Sequence, residues 1–118
     1  FEKVGIFRQK RDLETALKNV AALKHRFENV TLMDSSRKFN TSLTETLEVG
    51  FELELAETIA SGALARKESR GGHFRVDYPK RDDIKWLKHT LATKTPDGPK
   101  LSYKPVTITR WQPEARGY

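Results

Sequence analysis

The densest group of chemically able side chains runs Arg66-Lys67-Glu68-Ser69-Arg70-Gly71-Gly72-His73-Phe74-Arg75-Val76-Asp77, followed by Arg81-Asp82-Asp83 and then Lys88-His89. Arg70, Arg75 and Arg81 carry forked donors suited to carboxylates, phosphates or carbonyls. Glu68, Asp77, Asp82 and Asp83 are ready partners within the same stretch. Two compatible readings follow. The arginines and His73 form a latch to another domain, or the block satisfies itself and fixes how the chain leaves a helix. Buried ion networks more often set geometry than add net stability. His73 as a proton relay is the sharper idea, but no nucleophile or substrate-binding partner accompanies it, and a hydrogen-bonded structural histidine fits better. The same holds for His89. The candidate set is therefore an inter-domain or structural network of Arg66, Glu68, Ser69, Arg70, His73, Arg75, Asp77, Asp82, Lys88 and His89. No catalytic, cofactor-binding or metal-ligating residue is assigned.

Composition removes several chemistries. The chain has no cysteine, which excludes disulfides, thiolate metal sites and thiol catalysis. His25, His73 and His89 lack ligand spacing. No G-x-G-x-x-G fingerprint occurs, so a dinucleotide site of that kind is not encoded here. No apolar run approaches the roughly 20 residues that span a bilayer. The net charge of +6 raises nucleic acid as a partner. Against it, Lys and Arg are spread along the chain, and between Arg66 and Lys88 eight basic residues interleave with four acidic ones. The 118 residues suit one domain with a modest core. Phe1 opens the chain without a preceding Met, which suggests a fragment or processed product.

The elements that must position the block are read from periodicity. From Arg11 to Phe27, Leu13, Ala16, Leu17, Val20, Leu23 and Phe27 recur at helical spacing, with Asp12 in the first turn and Asn29 as a stop. A longer helix starts near Asn40, Thr41 or Ser42, with Ser42 and Glu45 at capping-box spacing, and is expected to run to Gly71-Gly72. Its apolar row is Leu43, Leu47, Phe51, Leu55, Ile59 and Ala63. Gly50 and Gly62 each cost roughly 1 kcal/mol against Ala in a helix, so a packing reason is expected for both. After Pro79, the turn Thr95-Pro96-Asp97-Gly98 joins a strand around Trp86–Thr93 to one around Leu101–Val106. Residues Gln112 to Tyr118 read as an extended tail. The expected fold is mainly α: an up-and-down, spectrin-repeat-like helical bundle over 1–79, with a β-hairpin and tail over 80–118 packed on it as one domain.

The block and its flanks also carry a resemblance. Ala65-Arg66-Lys67-Glu68-Ser69-Arg70-Gly71-Gly72-His73-Phe74-Arg75-Val76-Asp77, then Arg81-Asp82-Asp83, Trp86 and Lys88-His89-Thr90-Leu91, resembles the signature near the end of succinate dehydrogenase and fumarate reductase flavoproteins and of related L-aspartate oxidases. Gly72 stands where that family usually has Ala. Gly5-Ile6-Phe7-Arg8, Phe39-Asn40-Thr41, Glu48-Val49-Gly50 and the terminal Arg116-Gly117-Tyr118 extend the likeness along the chain. The resemblance implies a parent oxidoreductase that binds FAD and interconverts succinate and fumarate. It implies as partners the FAD-binding and capping domains of the same chain and an iron–sulfur subunit. Nucleic acid is not among them, and the membrane is reached only through partner subunits. The implied place is the cytoplasmic side of the plasma membrane, peripherally within a complex. This stretch would be a C-terminal structural and docking domain that binds no FAD and is inactive alone. An L-aspartate oxidase C-terminal domain, or a small basic helical nucleic-acid-binding protein, remains the alternative.

Overall fold

A computed structural model of the chain describes residues 2–114. The elements run β1 (Phe7–Arg8), α1 (Lys10–Phe27), α2 (Thr41–Ala65), β2 (Phe74–Arg75), β3 (Lys88–Thr95) and β4 (Gly98–Pro105). The last residues of the sequence-predicted tail, including Arg116-Gly117-Tyr118, lie outside the described residues.

The helices pack against each other as an antiparallel pair through one face of α1. Leu13 and Ala16 are buried there, with Leu17, Val20 and Phe27 half-buried. On α2 the facing side chains are small. Ala60 and Ala63 are buried, and a Cβ on Gly50 would come within 3.1 Å of the Phe27 ring. Small residues let the two backbones approach, and Lys24 Nζ reaches Glu57 Oε2 at 2.7 Å across the pair. Gly50 thus has its packing reason within the chain. Gly62 does not: a Cβ there would meet nothing within 4 Å.

The close approach on the small face leaves the large face of α2 uncovered. Leu43, Leu47, Phe51, Leu55 and Ile59 are between 43% and 63% exposed. Of the apolar row read from periodicity, the structure turns these five outward and buries Ala63.

β3 and β4 form the antiparallel hairpin, registered from Lys88↔Pro105 to Thr95↔Gly98. Its strands lie one to three residues from the expected bounds, with Gly98 at φ +101 taking the turn position that a left-handed backbone requires. The hairpin lies on α2, where Lys94 Nζ meets Glu54 Oε1 at 2.5 Å. β1 pairs in parallel with β2, Phe7 opposite Phe74 and Arg8 opposite Arg75. The Phe7 and Phe74 rings meet edge-on at 5.4 Å.

This corrects the expected fold class. Two helices stand beside four strands in two sheets among the described residues, which is a mixed α/β arrangement and not a mainly α bundle. The second helix also ends at Ala65, six residues before the glycine pair, because Arg66 turns to an extended backbone at φ −77, ψ 105. The reason lies in what Arg66 and Arg75 bind.

Candidate functional site

Glu68 is the hub of the block and has no solvent exposure. Its Oε1 accepts from Arg66 Nη1 at 2.5 Å and Arg70 Nε at 2.9 Å. Its Oε2 accepts from Arg70 Nη2 at 3.0 Å and the Asp82 backbone N–H at 2.9 Å. Burial pushes this carboxyl upward, but the donors from Arg70, Asp82 and Arg66 outweigh it and hold the group below its ordinary value. Arg66 then reaches the hairpin, donating to the carbonyls of Trp86 at 2.9 Å and Lys88 at 2.6 Å and to Thr90 Oγ1 at 3.1 Å. One carboxylate therefore joins the helix end, the Gly71-Gly72 turn and the root of β3. Arg70 Nη2 continues to Asp83 Oδ1 at 2.6 Å, and Arg81 Nη2 meets Asp83 Oδ2 at 2.7 Å.

Arg75 solves a second problem. The last carbonyls of any α-helix lack intrahelical donors. Arg75, 1% exposed, donates from Nη1 to the carbonyls of Ala63 at 2.8 Å, Leu64 at 3.0 Å and Arg66 at 3.2 Å. Its other edge forks onto Asp77, Nε to Oδ1 at 2.7 Å and Nη2 to Oδ2 at 2.6 Å. That pairing holds the Asp77 carboxyl below its usual range. Ser69 Oγ accepts from the Arg75 N–H at 2.9 Å and donates to the Tyr78 carbonyl at 2.8 Å, locking the strand that delivers Arg75.

His73 sits where three elements meet. Gly71, at φ +57, closes a tight turn in which Arg70 and His73 exchange backbone hydrogen bonds at 2.8 and 3.0 Å. His73 Nδ1 lies 2.8 Å from Arg8 Nη1, which can only donate, so Nδ1 accepts; Nε2 faces the Arg66 carbonyl at 3.3 Å and carries the proton. The imidazole is therefore neutral. Burial lowers its pKa, and the charges of Arg8, Arg75 and Arg66 lower it further.

Of the ten predicted site residues, the structure brings Arg66, Glu68, Ser69, Arg70, His73, Arg75, Asp77 and Asp82 into one connected set. Lys88 joins through its carbonyl, while its ammonium rests 4.6 Å from the Trp86 ring and 4.2 Å from that of Tyr103. His89 is exposed and takes no part among the described residues. Asp82 acts mainly as a turn former, its Oδ1 accepting from the N–H groups of Ile84 and Lys85. Arg8 was missed. It lies 65 residues from His73, and only the pairing of β1 with β2 brings the two together. The Gly5-Ile6-Phe7-Arg8 motif was the one signal that pointed at it.

Among the described residues, no cluster of His, Asp and Glu is placed to hold a metal ion, and no helix is long and apolar enough to cross a membrane.

A family model described as the C-terminal part of fumarate reductase flavoproteins matches residues 1–118. The fumarate reductase flavoprotein subunit of Haemophilus influenzae is 44% identical over 118 residues, covering 99% of this chain and 20% of that protein. That of Escherichia coli is 43% identical over 120 residues, with the same coverages. A solved Escherichia coli quinol fumarate reductase matches at TM-score 0.90 and 43% identity over 94% of this chain and 20% of that one. The Mycobacterium smegmatis Sdh1 complex matches at TM-score 0.75 and 29% identity over 94% of this chain and 19% of that one. The chain thus spans about a fifth of the length of the curated relatives it matches. With the Glu68 hub and the Arg75 cap built from the same residues that carry the signature, the chain belongs to the C-terminal domain family of the fumarate reductase and succinate dehydrogenase flavoprotein subunits.

Proposed function

We propose that this domain is the structural and docking end of an FAD-dependent subunit that interconverts succinate and fumarate, with flavin and dicarboxylate held by other parts of the subunit. The observation that carries the reading is the exposed apolar row Leu43, Leu47, Phe51, Leu55 and Ile59. A continuous apolar face of this length on a long helix marks a surface that something covers. We assign that cover to the FAD-binding and capping domains of the same subunit. The arginines support the assignment, since the guanidinium groups of Arg66, Arg70 and Arg75 are committed to Glu68, Asp77, Asp83 and backbone carbonyls and are not free for a flavin pyrophosphate. These residues do not fit a flavin site. The remaining partner is an iron–sulfur subunit, through which the protein sits peripherally at the cytoplasmic face of the membrane.

The test compares the intact subunit with one lacking residues 1–118. The intact subunit should retain flavin and reduce fumarate with a reduced dye, and the shortened one should lose flavin or assembly. The 118-residue chain alone should do neither. Stoichiometric flavin on the chain alone, or full activity of the shortened subunit, overturns the reading.

A further inference from the structure

Among the arginines of this block and its β1 neighbour, Arg8 stands apart. Arg66, Arg70, Arg75 and Arg81 each have a carboxylate within ion-pair distance. Arg8 has none among the described residues. Its Nε donates to the Gly5 carbonyl at 2.6 Å and its Nη1 to the neutral His73 ring at 2.8 Å, so Nη2 is uncommitted. The side chain is half-buried, and burial alone lowers its pKa, with no acid opposing the shift. The charged groups facing it across His73 are Arg66 and Arg75, which are themselves cationic. A desolvated guanidinium in such surroundings calls for a counter-charge.

A second oddity lies in the same cleft, a space of about 290 Å³ bordered by Arg8, Thr58, Gly62, Arg66, His73 and Thr90. Gly62 sits inside α2, where glycine is destabilising relative to alanine. No atom of the described residues explains it, since a Cβ would find open space. Glycine on a helix facing an open cleft is what a closely passing backbone requires. The relatives carry most of their length outside the matched region, since this chain covers 20% of the Haemophilus influenzae protein.

We propose that the cleft between Arg8, Gly62 and His73 docks an aspartate or glutamate of another segment of the same flavoprotein subunit. The carboxylate pairs with Arg8 Nη2, and the segment's backbone passes over Gly62. Neutral His73 serves as a positioning residue, holding Arg8 by its Nδ1 without adding charge. The inference rests on the docking role proposed above and adds the residue that makes the contact.

Zero-length carbodiimide coupling of the intact subunit carrying Arg8→Lys tests it. The expected product is an amide between the peptide containing position 8 and an Asp- or Glu-bearing peptide from outside residues 1–118. The Lys24–Glu57 pair, at 2.7 Å, is the internal control for coupling. Coupling of position 8 only to acids within residues 1–118, or none while the control couples, overturns the proposal. Independently, Gly62→Leu in the intact subunit should raise proteolysis of this domain by about tenfold or more. Unchanged resistance overturns the passing backbone. Fumarate reduction by the same preparations separates the two levels. Active subunit without the cross-link sinks this inference alone, whereas a subunit with no dicarboxylate activity sinks the functional reading.

Discussion

Glu68 receives four hydrogen bonds on two oxygens with no solvent access, so its charge and its shape are both in use. Glu68→Gln keeps the shape, removes the charge and turns an NH₂ toward guanidinium donors. Removing one partner of a buried ion pair costs about 3–5 kcal/mol, because the other charge stays buried. The Asp82 amide, bonded to Glu68 Oε2, reports this directly, and its exchange-derived opening free energy should fall by about 3 kcal/mol or more. An unchanged Asp82 amide would mean the hub is held by its neighbours. His73 gives the second prediction at this scale. Its folded pKa lies below the ordinary value of 6.5, so between those two values the unfolded chain binds more protons than the folded one. Stability from His73 is therefore complete above about pH 6.5 and is lost as pH falls toward the folded value. Glu68, Asp77 and Asp83 are also depressed, but from ordinary values of 4.5, 3.8 and 3.8, so their contribution disappears only at lower pH. Thermal stability should already decline as pH falls below about 6.5, and His73→Gln should flatten that first decline while leaving the acid one. A His73 proton-NMR titration midpoint at or above 6.5 would contradict the neutral, buried assignment.

The long helix illustrates what a sequence shows at the scale of an element and what it hides. Both helices and the turn at Thr95-Pro96-Asp97-Gly98 were legible, because periodicity and turn chemistry are local. The C-terminus of α2 was not. Gly71-Gly72 reads as a stop, yet the helix ends at Ala65 because Arg75, from a strand ten residues on, takes the carbonyls of Ala63 and Leu64. No local rule announces a cap supplied from that distance. Which face of α2 meets α1 is likewise not set by periodicity. Large residues at steps of four look like core, but helices approach most closely over small ones, and α1 packs on the side of Gly50 and Ala60. The candidate network was largely legible because its members are neighbours in sequence, whereas Arg8 depends on a two-residue parallel pairing that leaves no periodic trace. The distant cap also makes a prediction. Arg75→Lys keeps the charge but loses the fork, so it cannot hold Asp77 and three carbonyls together. The amides of the last turn of α2 should then exchange faster, by a local free energy of about 2 kcal/mol or more, while those near Leu53 hold. Equal loss along the whole helix would show that Arg75 supports the fold globally.

The whole molecule is unlike a self-contained globule of its mass. Its accessible surface is 9726 Å², where a folded monomer of 13.6 kDa is expected to show about 6,600 Å². Its radius of gyration is 18.0 Å, against about 13.5 Å for a compact chain of this length. Among the described residues the buried apolar side chains are Leu13, Ala16, Ala60 and Ala63, mostly small, while Phe51, Leu55 and Ile59 lie more than half exposed. So little apolar burial leaves the chain poorly stabilised by its own core. The charge of +6 opposes association at low salt, but screening shortens that repulsion to about 8 Å at 0.15 M, and the apolar row then dominates. The chain alone should bind a hydrophobic dye such as anilinonaphthalene sulfonate and self-associate as salt rises. Replacing Leu47 and Phe51 together by glutamate should suppress both without reducing helical circular dichroism, since both side chains are more than half exposed. In the intact subunit the same pair of substitutions should do the reverse, exposing this domain to protease and weakening its attachment. A chain that is monomeric at high salt and silent to the dye would show that the row is an ordinary solvated face. A substituted subunit as resistant as the parent would show that whatever covers α2 in the assembled protein does not rest on this row.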